Sequence, residues 1–189
     1  MRFEDYLATC LKDPLFKKYW EEDLRKLNLN LDFNLEESIS AVEALELLEK
    51  ENLDDIIKNK GIKKNINIIT EIIFFEDNDK CPVCNFLSDI EDIKLKEKIL
   101  LTISQLAIKG NEARYPLSRY IKDGIFELRT KHSSNITRIF YFFIFGNKIV
   151  MTNGYIKKQE KIDEKEFNKA KKYMEKYLRK TNKWEDKHE

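Results

Sequence analysis

The sequence predicts an α+β fold: a small antiparallel β-sheet with packed helices, preceded by an all-helical N-terminal segment. Residues 1–60 carry apolar side chains at three-to-four spacing, the signature of amphipathic helices. β-Branched and aromatic runs appear only after Gly61, where the order of elements reads β, α, β, β, β, α. Consecutive strands joined by short turns pair antiparallel, and the helices must cover what the sheet leaves apolar.

Phe3, Tyr6, Leu7, Cys10 and Leu11 mark a first helix. Asp13-Pro14 reads as an N-cap with proline in the first turn, starting a second helix whose apolar face is Leu15, Phe16, Tyr19, Trp20 and Leu24. Asn34 and Glu37 have capping-box spacing ahead of a third helix bearing Ile39, Val42, Leu45 and Leu48. A short fourth helix, Leu53 to Lys58, stops before Gly61. The run from Ile66 to Phe75 is the first strand, and Ile90 to Ile108 a helix ending at Gly110. Gly124–Thr130, Ile136–Phe145 and Lys148–Tyr155 are three further strands, the last two joined by Gly146-Asn147, a two-residue hairpin signal. Asp163 to Arg179 closes the chain with Phe167, Ala170, Met174, Tyr177 and Leu178 on one side. The expected domains are therefore 1–61, helical, and 62–189, the sheet with its helices.

Composition narrows the class. Of the 189 residues 42% are hydrophobic and 37% charged, enough for a core beneath a charged surface. The longest apolar run, Ile139 to Phe145, is too short to span a bilayer. Glu4 and Asp5 stand where a secretory signal has its apolar stretch, an argument against export and for a cytoplasmic protein. Three cysteines are too few to staple a secreted domain. The near-zero net charge conceals an asymmetry. Residues 1–60 hold nine Lys/Arg against fifteen Asp/Glu, a net −6, and residues 61–189 hold twenty-six against nineteen, a net +7. A basic part suits a polyanion, and a tethered acidic part suits a mask over it.

Strand pairing places side chains. If Gly146 and Asn147 are the turn, Phe145 pairs with Lys148 and Arg138 sits opposite Tyr155. If His132 to Asn135 is the preceding loop, Lys131 pairs with Ile136 and Arg129 sits opposite Arg138. Arg129, Arg138 and Tyr155 then form one row across three strands, on an open face, while Phe126, Leu128, Ile139 and Phe143 take the core side. Like charges side by side in a sheet cost about 0.2–1 kcal/mol. An anion between the guanidinium groups would explain why they are kept, since their planar forks bind phosphate bidentately.

The stretch Leu117 to Lys161 contains Asp123-Gly124-Ile125-Phe126-Glu127-Leu128-Arg129, then Thr137-Arg138-Ile139-Phe140-Tyr141-Phe142, then Gly154-Tyr155-Ile156-Lys157-Lys158. In order and spacing it resembles the phage-derived branch of the RelE/HigB toxin superfamily, with its "dG-x-x-E-L-R", "y-R-I-x-Y-f" and "hgF-x-K-K" strands. The likeness extends over roughly residues 66 to 180. It implies a toxin of a toxin–antitoxin module that cuts mRNA in the ribosomal A site, without metal or other cofactor. Its partners would be that mRNA and an antitoxin, in trans or as the N-terminal segment in cis, with no membrane and with homo-oligomers open. Arg129 and Arg138 would stabilise charge on the phosphoryl oxygens. Lys157 and Tyr155 would serve as further catalytic groups, and Lys158, Arg119, Lys122 and His132 as RNA-binding ones. His132 is the one histidine expected in a loop beside the arginines. The alternative is a non-catalytic binding protein on the same fold, in the manner of ParE-like gyrase poisons. Cys81-Pro82-Val83-Cys84 has metal-ligand spacing but no second pair, and reads as a helix start. Met1 to Lys17 is similar to the leading helix of helix-turn-helix antitoxins. A strand-like run stands where a second DNA-binding helix would be needed, so DNA binding is not expected.

Overall fold

The computed structural model describes residues 1–30, 70–78, 80–145, 147–157 and 161–185. The expected third and fourth helices, residues 66–69 of the expected first strand, and Lys158 lie outside the described residues. Met1–Trp20 and Ile69–Glu189 form one compact unit, and Glu21–Ile68 a second. In the second unit only the end of one helix is described.

Helix α1 spans Phe3–Cys10 and α2 Pro14–Asn30. Asp13 caps α2 as its position before Pro14 predicts, its Oδ1 accepting from the backbone N–H of Leu15 at 2.8 Å and of Phe16 at 3.1 Å. Strand β1 is Glu71–Phe74, inside the expected run. Cys81 then caps α3, Pro82–Ser88, its sulfur accepting from the Cys84 N–H, and the two cysteines are disulfide-bonded. The segment is a helix start, as the sequence suggests. Asp92 caps α4, Ile93–Lys109, which ends at Gly110. Gly110 has φ +50°, and a Cβ there would meet the Thr70 hydroxyl at 2.5 Å, so glycine is required on both counts. Strands β2 (Ser118–Lys122), β3 (Ile125–His132), β4 (Asn135–Ile144) and β5 (Lys148–Ile156) precede the last helix, α5 (Glu164–Glu185).

The fold is α+β, but its sheet is mixed rather than antiparallel. The order is β1-β5-β4-β3-β2, with β1 parallel to β5 and the remaining pairs antiparallel. Two helices, α3 and α4, separate β1 from the hairpins, and that crossover permits a parallel pair. The strand β2 was not foreseen. It is a short edge strand whose Arg119, Tyr120 and Lys122 are solvent-facing, so the apolar alternation that announces a half-buried strand is missing.

Both faces of the sheet are covered, which corrects the expectation of one open face. On one side Ile125, Phe140, Phe167 and Ala170 pack together, with Phe142, Val150 and Phe75 beside them, all beneath α5. On the other, α4 lies against β3 and α3 against β5, over the buried Leu128 and Ile139. Phe126 and Phe143, expected in that core, are only half-buried and build an aromatic cluster with Tyr120 and Tyr141. The opening helices belong to the same unit. Phe74 N–H donates to the Met1 carbonyl at 2.8 Å, and the rings of Phe3 and Tyr6 meet Phe74 edge-on. Phe16 and Trp20 are buried and stacked, and Lys94 of α4 lies over the Tyr19 ring.

Candidate functional site at the arginine end of the sheet

Register decides where the cationic side chains meet. Lys131 pairs with Ile136 and Arg129 with Arg138, as expected, although the β3–β4 turn is tighter than expected, since His132 pairs with Asn135. The β4–β5 turn departs from expectation. Ile144, not Phe145, pairs with Lys148, so the ladder starts one residue out of step. A β-bulge then puts Thr152 and Asn153 of β5 against Phe140 alone, and beyond it Ile139 pairs with Gly154 and Arg138 with Tyr155. The bulge restores the row. The Thr152 hydroxyl donates to the Phe140 carbonyl at 3.2 Å, and the Asn153 amide donates to the Glu166 carboxylate of α5 at 3.0 Å. Gly154 lies under Phe86 of α3, whose ring a Cβ would strike at 2.2 Å.

The row has a hub that sequence reasoning missed. Glu127, only 3% exposed, stands two residues before Arg129 on the same face of β3 and opposite Arg119 of β2. Its Oε2 is 3.4 Å from Arg138 Nε, and its Oε1 is 3.5 Å from Arg119 Nε and 3.9 Å from Arg129 Nε. One carboxylate therefore serves three guanidinium groups and offsets the like-charge pair across the strands. The alternation that placed Arg129 also places Glu127, so the signal was present in the Glu-Leu-Arg triplet.

Arg138 is 3% exposed, not on an open face. Its Nη1 donates to the Thr137 carbonyl at 2.8 Å. The Nε contact with Glu127 is an ion pair without hydrogen-bond alignment. Arg138 Nε and the Tyr155 hydroxyl are both buried with no hydrogen-bond partner. Burial draws Arg138 below the ordinary guanidinium value, and the Glu127 charge pushes it back up. Burial raises the Tyr155 phenol, and the nearby Asp163 backbone moderates the rise without being aligned to bond. Lys157, next along from β5, is held below the ordinary lysine value by burial and then by Arg138.

Five of the expected residues, Arg119, Arg129, Arg138, Tyr155 and Lys157, thus converge around Glu127. Two others do not. Lys122 reaches α5, with its Nζ 3.4 Å from Glu164 and over the Phe167 ring, and ties β2 to that helix. His132 is the last residue of β3, not a loop residue, and strand alternation puts it on the face opposite Arg129. Beside the cluster a cavity of about 420 Å³ is lined by Arg129, Arg138, Tyr115 and residues of α4. The Arg129 guanidinium lies over the Tyr115 ring at 4.9 Å.

The residues described so far define an α+β unit: a five-stranded mixed sheet with helices on both faces and arginines gathered at one end. Residues 86–175 match the family described as Phage derived protein Gp49-like (DUF891), from within α3 to within α5, and to that family this stretch is similar. That family is a RelE/HigB-like toxin family associated with toxin–antitoxin modules. No curated protein matches the chain. The match contains every described member of the cluster and leaves out residues 1–85. Among the described residues no helix is long and apolar enough to cross a membrane.

Proposed function

We propose that this chain is the toxin of a toxin–antitoxin module, acting as a ribosome-dependent mRNA endoribonuclease in the cytoplasm. The observation that carries the reading is the convergence of Arg119, Arg129, Arg138, Tyr155 and Lys157 beside a cavity, with one carboxylate among them. Three guanidinium groups and an ammonium against a single carboxylate leave an excess of positive charge for a phosphate.

In the proposed cleavage the substrate 2′-oxygen attacks the adjacent phosphorus. A P–O2′ bond forms, the P–O5′ bond breaks, one proton leaves the 2′-hydroxyl and another reaches O5′. Arg129 and Arg138 would stabilise the charge that grows on the phosphoryl oxygens. Tyr155, with its raised pKa, stays protonated at neutral pH and suits hydrogen-bond donation rather than proton abstraction. Lys157, with its lowered pKa, is the better proton donor to the leaving oxygen. Arg119, and Lys158 at the strand end, would hold flanking phosphates. Inhibition by an antitoxin in trans, or by the chain's own acidic segment, is part of the proposal. Residues 1–11 pack at β1, the edge farthest from β2.

One observation favours a second reading. Arg138 is buried in an ion-pair network that would equally stabilise a non-catalytic domain, such as a gyrase-binding toxin. The two separate on induction of the full-length chain with mapping of mRNA 5′ ends. Codon-phased cuts in translated messages support the nuclease. Intact messages with DNA damage support the binding protein and overturn the first reading.

A further inference from the structure

The cavity beside the arginines has a chemistry that phosphate alone does not use. Tyr115 is 70% exposed, yet its ring is held in place by the Arg129 guanidinium 4.9 Å from its centre. Arg129 is itself tied to the sheet, through its pairing with Arg138 and its contact with Glu127. Two flat groups, one aromatic and one cationic, are thereby presented at the mouth of a cavity of about 420 Å³. That volume is at the lower end of the ~300–1,000 Å³ typical of small-molecule pockets. Helix α4 contributes Thr102 and Gln105 to the same lining. The Thr102 hydroxyl donates to the Lys98 carbonyl at 2.7 Å, which leaves its oxygen as an acceptor. The Gln105 amide supplies a donor and an acceptor side by side, the pattern that reads a base edge.

From these placements we infer that the cavity is a nucleobase site. One base of a single-stranded RNA stacks on the Tyr115–Arg129 pair, its edge toward Gln105 and Thr102, while its phosphate meets Arg129 and Arg138. This deepens the proposed function and rests on it for the phosphate. Aromatic and guanidinium planes are what hold splayed-out bases in single-stranded RNA. Tyr115 and Gln105 then become base-positioning and base-discriminating residues, separate from the groups that act on the phosphate.

The test uses the full-length chain, NMR-detected titration, the four nucleoside 5′-monophosphates, and ribose 5-phosphate as the base-free probe. The nucleotides should bind about five- to a hundredfold more tightly than ribose 5-phosphate, the range expected of one stacked base. Tyr115→Ala should remove that difference and leave the ribose 5-phosphate affinity unchanged, and Tyr115→Phe should keep it. Because Tyr115 is exposed, neither change threatens the core. Gln105→Ala should flatten the ranking among the four nucleotides, and a wild-type ranking that is already flat would remove Gln105 from the site. A trinucleotide should bind at least as tightly as the best monophosphate, and weaker binding would overturn the assignment to RNA. If ribose 5-phosphate binds but a base adds nothing, the base site is wrong while the phosphate reading stands. If ribose 5-phosphate does not bind, the phosphate reading itself fails.

Discussion

Replacing Glu127 by Gln removes the one negative charge from a cluster of three arginines and changes little else in shape. The cost follows from geometry. Unit charges 3.4 Å apart, in the effective dielectric of about 20 that suits protein sites, attract by roughly 5 kcal/mol. Arg119 is half-exposed and compensates little, but Arg138 is 3% exposed and would remain charged with no carboxylate beside it. Breaking a buried pair from one side typically costs about 3–5 kcal/mol, and that is the expected loss for Glu127→Gln. Arg138→Met should cost less, about 1–3 kcal/mol, because Glu127 keeps Arg119 and Arg129 as neighbours. The double variant should be more stable than the sum of the two predicts, with a coupling of about 2 kcal/mol. Urea unfolding of the four proteins at pH 7 measures all three terms. Additivity within about 0.5 kcal/mol, or a Glu127→Gln cost below about 1 kcal/mol, would show that Arg138 does not depend on this carboxylate.

Arg129 is more accessible than Arg138 and is the cleaner probe of activity: Arg129→Ala should lower mRNA cleavage by about 10²–10³ with an unchanged urea midpoint, and full cleavage would remove it from the site. Phe3→Ala and Phe16→Ala should each destabilise the chain by about 3–5 kcal/mol, because both rings are buried, and residues 62–189 alone should melt well below the full chain. Tests of masking must therefore retain residues 1–20. Burial raises the pKa of Tyr6, Tyr141, Tyr155 and Tyr177 above 10.0. The unfolded phenols ionise first, so the stability these groups contribute is complete below pH 10 and falls as pH rises through their folded values. Unfolding midpoints compared at about pH 9 and pH 11 should show the decline, and Tyr141→Phe should lessen it.

Periodicity and turn chemistry were sufficient for α1, the start of α2 and the close of α4 at Gly110, because each is decided by neighbours in sequence. Asp13 before Pro14 and a left-handed glycine are local instructions. What the sequence hid is decided by distant partners. The strand β2 has no apolar alternation of its own and is a strand only because β3 offers it an edge. The parallel pairing of β1 with β5 depends on the α3–α4 crossover. The site was half visible for the same reason: alternation fixes which face a residue takes, but not whether a helix covers that face. Arg138 was therefore placed in the correct row and with the wrong exposure. Tyr115 carried no signal, since it lies ahead of a strand that was not foreseen.

The bulge at Thr152 and Asn153 makes β5 a strand written in two phases. Before it, the even-numbered Val150 faces α5; after it, the odd-numbered Asn153 and Tyr155 do. Running the same residues through a smooth ladder, with no bulge to absorb the extra one, would turn the strand inside out at one end. Tyr155 would be aimed at Phe86 of α3, and the closely packed Gly154 would face α5. A strict two-residue alternation could satisfy the core near the β4–β5 turn or the cluster at the far end, not both. The extra residue lets the two ends of one strand change independently, so the core half can be repacked without disturbing the phase of the half that carries the charges.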